Sequence, residues 1–231
     1  MTVAVSAIND RSYWVGIDTP GASELDLRYF NSFYSSIHVP EVLENNPGFI
    51  KCERYELVKP DERGDFGPRW LARYTMDETA AQRYLEDNAS PGYVTPYTDF
   101  PKLGCAIVVR WRLLWAGLVA EGRASGRSER IRLIGMDPAP GSTEDEVHAF
   151  NRFYDDIHLV EARLILSAGY ASRYELTRNL LPGTGSPRYA ALYELVLSQK
   201  PSDLAYMKPS SGPPPWEDRV VHWRLDYARL P

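Results

Sequence analysis

The sequence predicts an α+β fold made of two βαββαβ units in one chain, with the sheet of one packed against the sheet of the other. Two observations carry this. First, the stretch NSFYSSIHVPE at 31–41 recurs as NRFYDDIHLVE at 151–161 in a chain of 231 residues. Each copy is followed by a Gly-aromatic pair (Gly48-Phe49 and Gly169-Tyr170) and then by Arg-Tyr-Glu-Leu, at 54–57 and 173–176. Second, the order strand, helix, strand, strand, helix, strand is written in both halves. A four-stranded sheet with both helices on one face leaves its other face bare, and a second copy can cover it. The expected units are 1–120 and 121–231.

In the first half, RSYWVGID (11–18) is an apolar run closed by Asp-Thr-Pro-Gly, a buried strand and its turn. Ser23 with Glu24 and Asp26 starts a helix, the acids lying near the positive end of its dipole. Phe30, Phe33, Tyr34 and Ile37 continue it at helical spacing. Pro40 is expected to kink it, and Asn46-Pro47-Gly48 to end it. Strands follow at 49–58 and 69–76, then a helix opened by Asp77-Glu78 and a strand at 105–116. The second half repeats the order: a strand at 129–137, a helix over 143–167 with Val160 in place of the proline, and strands at YASRYEL, 187–197 and 219–228. Its second helix, SDLAYM, is short. The segment 121–129 reads as a linker. This βαββαβ order is the ferredoxin-like plan, and two copies predict an intramolecular dimeric α/β barrel.

Composition narrows the function. A net charge of −5 without a basic stripe disfavours nucleic acid. The absence of a run of eighteen apolar residues disfavours a membrane span, and the N-terminus lacks the pattern of a signal peptide. Two isolated cysteines, Cys52 and Cys105, read as reduced thiols of a cytoplasmic protein. No metal-ligand spacing and no phosphate-binding glycine string occurs.

The string FYxxIHxPE, followed by Pro47-Gly48-Phe49 and an Arg-Tyr run, resembles the EthD-like branch of the dimeric α/β-barrel superfamily. That superfamily includes polyketide cyclases, cofactor-free monooxygenases, isomerases, aldoxime dehydratases, and haem-dependent chlorite dismutases and peroxidases. The resemblance implies a pocket in each unit, between helices and sheet, for a small apolar or aromatic molecule. The second copy departs from the pattern at Val160 and Ala168, so the first is the better candidate for a working site.

At about 100° per residue, Phe30, Phe33, Tyr34 and Ile37 form one stripe, with Glu41 in its middle and His38 at its edge. Tyr34, His38 and Glu41 are spaced to meet on one face. A histidine can move protons at neutral pH, a tyrosine hydroxyl can hydrogen-bond an enolate, and a carboxylate can fix the imidazole tautomer. The candidate catalytic residues are therefore His38 and Tyr34, with His158 and Tyr154 in the second copy. Phe33, Trp14, Tyr97, Phe100 and His222 are candidates to line the substrate site, Tyr97 and Phe100 as an aromatic lid. PSSGPPPW (209–216) could match that lid in the second half. The repeated acids also read as structural ion pairs, Glu41 with Arg54 and Glu161 with Arg173, because a buried carboxylate needs a partner. The expected activity is that of a cofactor-independent lyase, cyclase or isomerase, acting in a monomer or homodimer. Two alternatives are kept: a cofactor-free monooxygenase or haem-dependent oxidoreductase, and a binding or assembly module without chemistry.

Overall fold

Alternation of side chains along the strands decides the architecture. In β2 (Arg11–Asp18), Ser12 and Trp14 point to one face and Tyr13, Val15 and Ile17 to the other, and both faces are covered. The computed structural model describes residues 5–8, 10–59, 61, 67–89, 97–124, 128–181, 185–195 and 208–231. Its strands are β1 (Ser6–Ala7), β2, β3 (Phe49–Lys59), β4 (Trp70–Met76), β5 (Val108–Gly122), β6 (Arg130–Asp137), β7 (Ala168–Asn179), β8 (Tyr189–Leu195) and β9 (Val220–Arg229).

All pairings are antiparallel, and the order β5-β2-β4-β3 in the first half is matched by β9-β6-β8-β7 in the second. The two expected sheets do more than face each other. β3 pairs with β9, with Tyr55 opposite Arg229, and β5 pairs with β7, with Trp115 opposite Leu176. The result is a closed eight-stranded barrel, with the short β1 added beside β5. Closure satisfies backbone groups that an open edge would leave bare. β5 is longer than expected for that reason: it runs to Gly122, into the segment read as a linker, to pair with β7.

Inward residues from both halves fill the lumen. Trp14, Trp115, Leu113, Leu133, Leu192 and Tyr227 are fully buried there, as an eight-stranded barrel permits. Buried Arg73 donates to Glu53 at 3.0 Å and to the Tyr174 hydroxyl at 3.3 Å. The barrel is thus a packed core, and the outward faces carry the helices.

Those helices begin as expected. Ser23 and Asp26 form a capping box for α1 (Glu24–Phe33), and Thr143 and Glu146 do the same for α4 (Glu144–Phe153). The continuation differs from expectation. A π-helical turn, Tyr34–His38, joins α1 to α2 (Val39–Asn45), and another, Tyr154–His158, joins α4 to α5 (Leu159–Ile165). Pro40 does not end the helix: it sits at the start of α2, directly after the π turn. The π turn is present in both copies, before Pro40 in one and before Val160 in the other.

Among the described residues the remaining helices are α3 (Glu78–Ala89) and the short α6 (Pro214–Glu217). Neither β1 nor α6 was expected from the sequence. The expected helix SDLAYM lies outside the described residues, as do residues 92–96 of the proposed lid. No helix among the described residues is long and apolar enough to cross a membrane.

Candidate active site

The π turn determines what faces the sheet. It acts as an inserted residue, so each later position is set back by about 100° on the wheel. Ile37 turns outward to 41% exposure and Ile157 to 43%. His38 takes the inward place predicted for Ile37. Val42 and Ala162 are buried where the acids were expected, and Glu41 and Glu161 swing to the flank.

The expected Glu–Arg ion pairs are therefore not formed. Arg54 donates to the Asn31 carbonyl at 3.1 Å, to Asn31 Oδ1 at 2.7 Å and to Ser35 Oγ at 2.8 Å, with its guanidinium 4.4 Å from the Tyr34 ring centre. Arg173 repeats this with Asn151 Oδ1 at 2.6 Å and the Tyr154 ring at 4.4 Å. Asp155 takes the place of Ser35 and pairs with Arg173 at 2.6 Å. The repeated Asn, Tyr and Arg form a clamp holding helix to sheet.

The glutamates latch the covering segments instead. Glu41 accepts hydrogen bonds from the Thr98 N–H, at 3.0 Å, and from the Thr98 hydroxyl. Asp26 accepts from the Gly104 N–H at 2.8 Å, and Asn46 Nδ2 donates to the Tyr97 hydroxyl at 2.7 Å. Glu161 holds Ser210 through its N–H and hydroxyl, at 2.9 and 2.5 Å. Accepting these hydrogen bonds holds the Glu41 carboxyl below its usual range. Glu41→Ala should release the 97–104 segment, seen as faster hydrogen–deuterium exchange at Thr98 with the barrel amides unchanged. Exchange at Thr98 equal to that of the wild type would remove the latch.

Under the first latch lies a cavity of about 250 Å³ between helix and sheet. His38, Tyr34, Tyr97 and Phe100 line it from the helix and the covering segment. Phe49, Tyr13, Tyr74, Tyr84 and Arg112 line it from the sheet and α3. It shares Phe49, Tyr84 and Tyr97 with an adjoining space of about 270 Å³. The His38 ring centre lies 4.8 Å from Tyr34, 5.2 Å from Tyr97 and 5.3 Å from Phe100. Its Nδ1 is buried without a hydrogen-bond partner, so the expected tautomer-fixing carboxylate is absent. Burial holds the His38 pKa below its ordinary value, helped by Arg54 and opposed by Glu41. Burial raises that of Tyr34, leaving a neutral imidazole beside a neutral phenol. The Tyr74 hydroxyl has no well-aligned partner, though Tyr34 and Cys52 lie close enough to act on it electrostatically.

The other candidates are placed elsewhere. Trp14 is sealed in the lumen, 5.0 Å from Trp115, with its indole N–H on Ser12. Phe33 packs behind Phe100 at 4.9 Å and does not line the cavity. His222 is half-buried near the start of β9, 2.7 Å from Asp137 and away from this cavity. Arg112, Tyr13, Tyr74 and Tyr84 were missed. Strand alternation was the available signal for the first three: Trp14, Trp111 and Leu113 face the lumen, so Tyr13 and Arg112 face the helices.

In the second half Trp216 lies against His158, ring centres 4.3 Å apart, and is itself buried. The Tyr154 hydroxyl meets that of Tyr193 at 3.3 Å. Burial, with Arg219 and Arg173, lowers the His158 pKa from 6.5 to about 4, against the pull of Glu161. Because the native value lies below the unfolded one, the unfolded chain takes up this proton first as pH falls. Stability should therefore fall between pH 6.5 and 4. Urea unfolding at pH 7.5 and 5.0 should show the wild type losing about 2 kcal/mol more than His158→Gln. Equal losses would refute this.

No group of three His, Cys, Asp or Glu side chains among the described residues could hold a metal ion. No family model matches the chain, and no curated protein does. Solved structures do match. One is a candidate chlorite dismutase, at 11% identity and a TM-score of 0.50, covering 96% of this chain and 95% of that one. A double mutant of the chlorite dismutase from Candidatus Nitrospira defluvii is at 12% identity and 0.46, covering 96% and 92%. At such identity the first likeness speaks for the fold alone. The shared fold is an eight-stranded antiparallel barrel with helices on its outer face.

Proposed function

We propose that the chain is an EthD-like tandem of two ferredoxin-like units, 1–120 and 121–231, whose first unit is a cofactor-independent acid–base site for a small ring compound. The observation that carries this is the cavity of about 250 Å³ with His38 and Tyr34 in its wall. A neutral His38 nitrogen takes a proton from a carbon next to a carbonyl. The bonding pair moves into the carbonyl, and the resulting enolate oxygen accepts a hydrogen bond from the Tyr34 phenol. Returning the proton elsewhere isomerises the substrate, and letting the enolate close on a second carbonyl cyclises it. Burial under Phe100 and Tyr97 keeps bulk water from the enolate.

The test is solvent deuterium exchange, followed by NMR, into one- and two-ring keto and phenolic compounds, with no cofactor added. Catalysed exchange into some member supports the reading, and none into any member overturns it.

The likeness to chlorite dismutases favours a haem-dependent oxidoreductase as the second reading. The residues at His38 do not fit a haem. The cavity is smaller than the roughly 300–1,000 Å³ typical of ligand sites, and a tetrapyrrole exceeds most ligands. Arg112 is the one cation in the wall, against the two carboxylates that a haem carries. A Soret band shifted on adding hemin, and lost in His38→Ala, would make this second reading the first.

A further inference from the structure

The cavity beside His38 holds a cation without a carboxylate. Arg112 Nε donates to the Tyr13 hydroxyl at 2.8 Å, and Nη2 to the Tyr84 hydroxyl at 3.0 Å and Asn88 Oδ1 at 2.8 Å. All three partners are neutral, and burial keeps Tyr13 protonated by raising its pKa. No hydrogen bond engages Nη1 among the described residues. Several other strand arginines do face a carboxylate. Arg73 faces Glu53 at 3.0 Å, Arg110 faces Asp18 at 2.7 Å and Arg132 faces Asp226 at 2.6 Å.

Comparison of the two copies sharpens the point. Arg173 pairs with Asp155, but its counterpart Arg54 meets Ser35 at that place. Near His38, then, half-buried Arg112 in the cavity wall and buried Arg54 form no ion pair, and no acidic side chain lines the cavity. A half-buried charge left uncompensated is costly, and an anionic ligand relieves that cost.

We propose that the molecule bound beside His38 is an aromatic carboxylate, its ring among Tyr34, Phe49 and Phe100 and its carboxylate on Arg112. This rests on the pocket reading above and narrows its substrate class. A guanidinium whose Nε and Nη2 are fixed by neutral hydroxyls and an amide offers Nη1 in a set orientation, which favours a carboxylate over a neutral amide.

The experiment is calorimetric titration of 2-naphthoate and of its neutral isostere 2-naphthamide into the full chain at pH 7.5. The wild type should bind the acid about tenfold tighter or more. Arg112→Gln should bring the two affinities together while that for the amide holds. Arg112→Lys, which keeps the charge but not the fork, should retain part of the preference and serves if the Gln variant does not fold. Equal affinities in the wild type, or a preference surviving in Arg112→Gln, would overturn the proposal and leave the pocket reading intact. Binding of neither compound would overturn both.

Discussion

Replacing His38 with alanine is expected to slow the deuterium exchange by about 10²–10⁴-fold, the contribution of a positioned acid–base group. The melting temperature should barely move. His38 is half-buried, its Nδ1 makes no hydrogen bond, and its contacts with Tyr34, Tyr97 and Phe100 are between rings alone. Removing it therefore strands no partner. Its native pKa below 6.5 also predicts a rate that falls on the acid side only once pH drops under that value, as the imidazole takes up a proton. Unchanged exchange in His38→Ala would end the acid–base assignment. His158→Ala should leave exchange untouched, because Trp216 covers that ring.

Arg173→Met is expected to produce the largest loss of stability, about 3–5 kcal/mol, the cost of breaking one side of a buried ion pair. For a chain of this size that is roughly 6–20 °C in melting temperature. Arg173 is fully buried, holds Asp155 at 2.6 Å and Asn151 Oδ1 at 2.6 Å, and lies over the Tyr154 ring. Its removal leaves Asp155, whose pKa burial already raises, without its cation. Arg173→Met with Asp155→Ser should recover much of the loss, because no buried charge is then unpaired. Arg54→Met should cost less, since Asn31 and Ser35 are neutral. Equal losses at Arg54 and Arg173, or no recovery in the double variant, would count against the clamp. Urea denaturation of the three variants beside the wild type decides it.

Much of this was written in the sequence. The repeat at 31–41 and 151–161, the capping residues Ser23 and Thr143, and the two-residue alternation in RSYWVGID carry local information, because each acts through neighbours within a turn or a strand. They gave the element order, the helix starts and the first-copy histidine as the place to look. The π turns were not legible at 100° per residue, though a slip in apolar register between Tyr34 and Val42 marks one. That slip moved Glu41 and Glu161 from the core to the flank, and so moved their partners from Arg54 and Arg173 to Thr98 and Ser210.

What only the tertiary structure decided is which residues meet across long separations. Trp14 could have lined a pocket or a barrel; closure through β3–β9 and β5–β7 put it in the lumen. Arg112 is one of many arginines in the sequence. Its position against Tyr13 and Tyr84, with no acid beside it, exists only after β2, β5 and α3 pack together. Periodicity reports which face a residue takes, whereas charge balance depends on every group that the fold brings near.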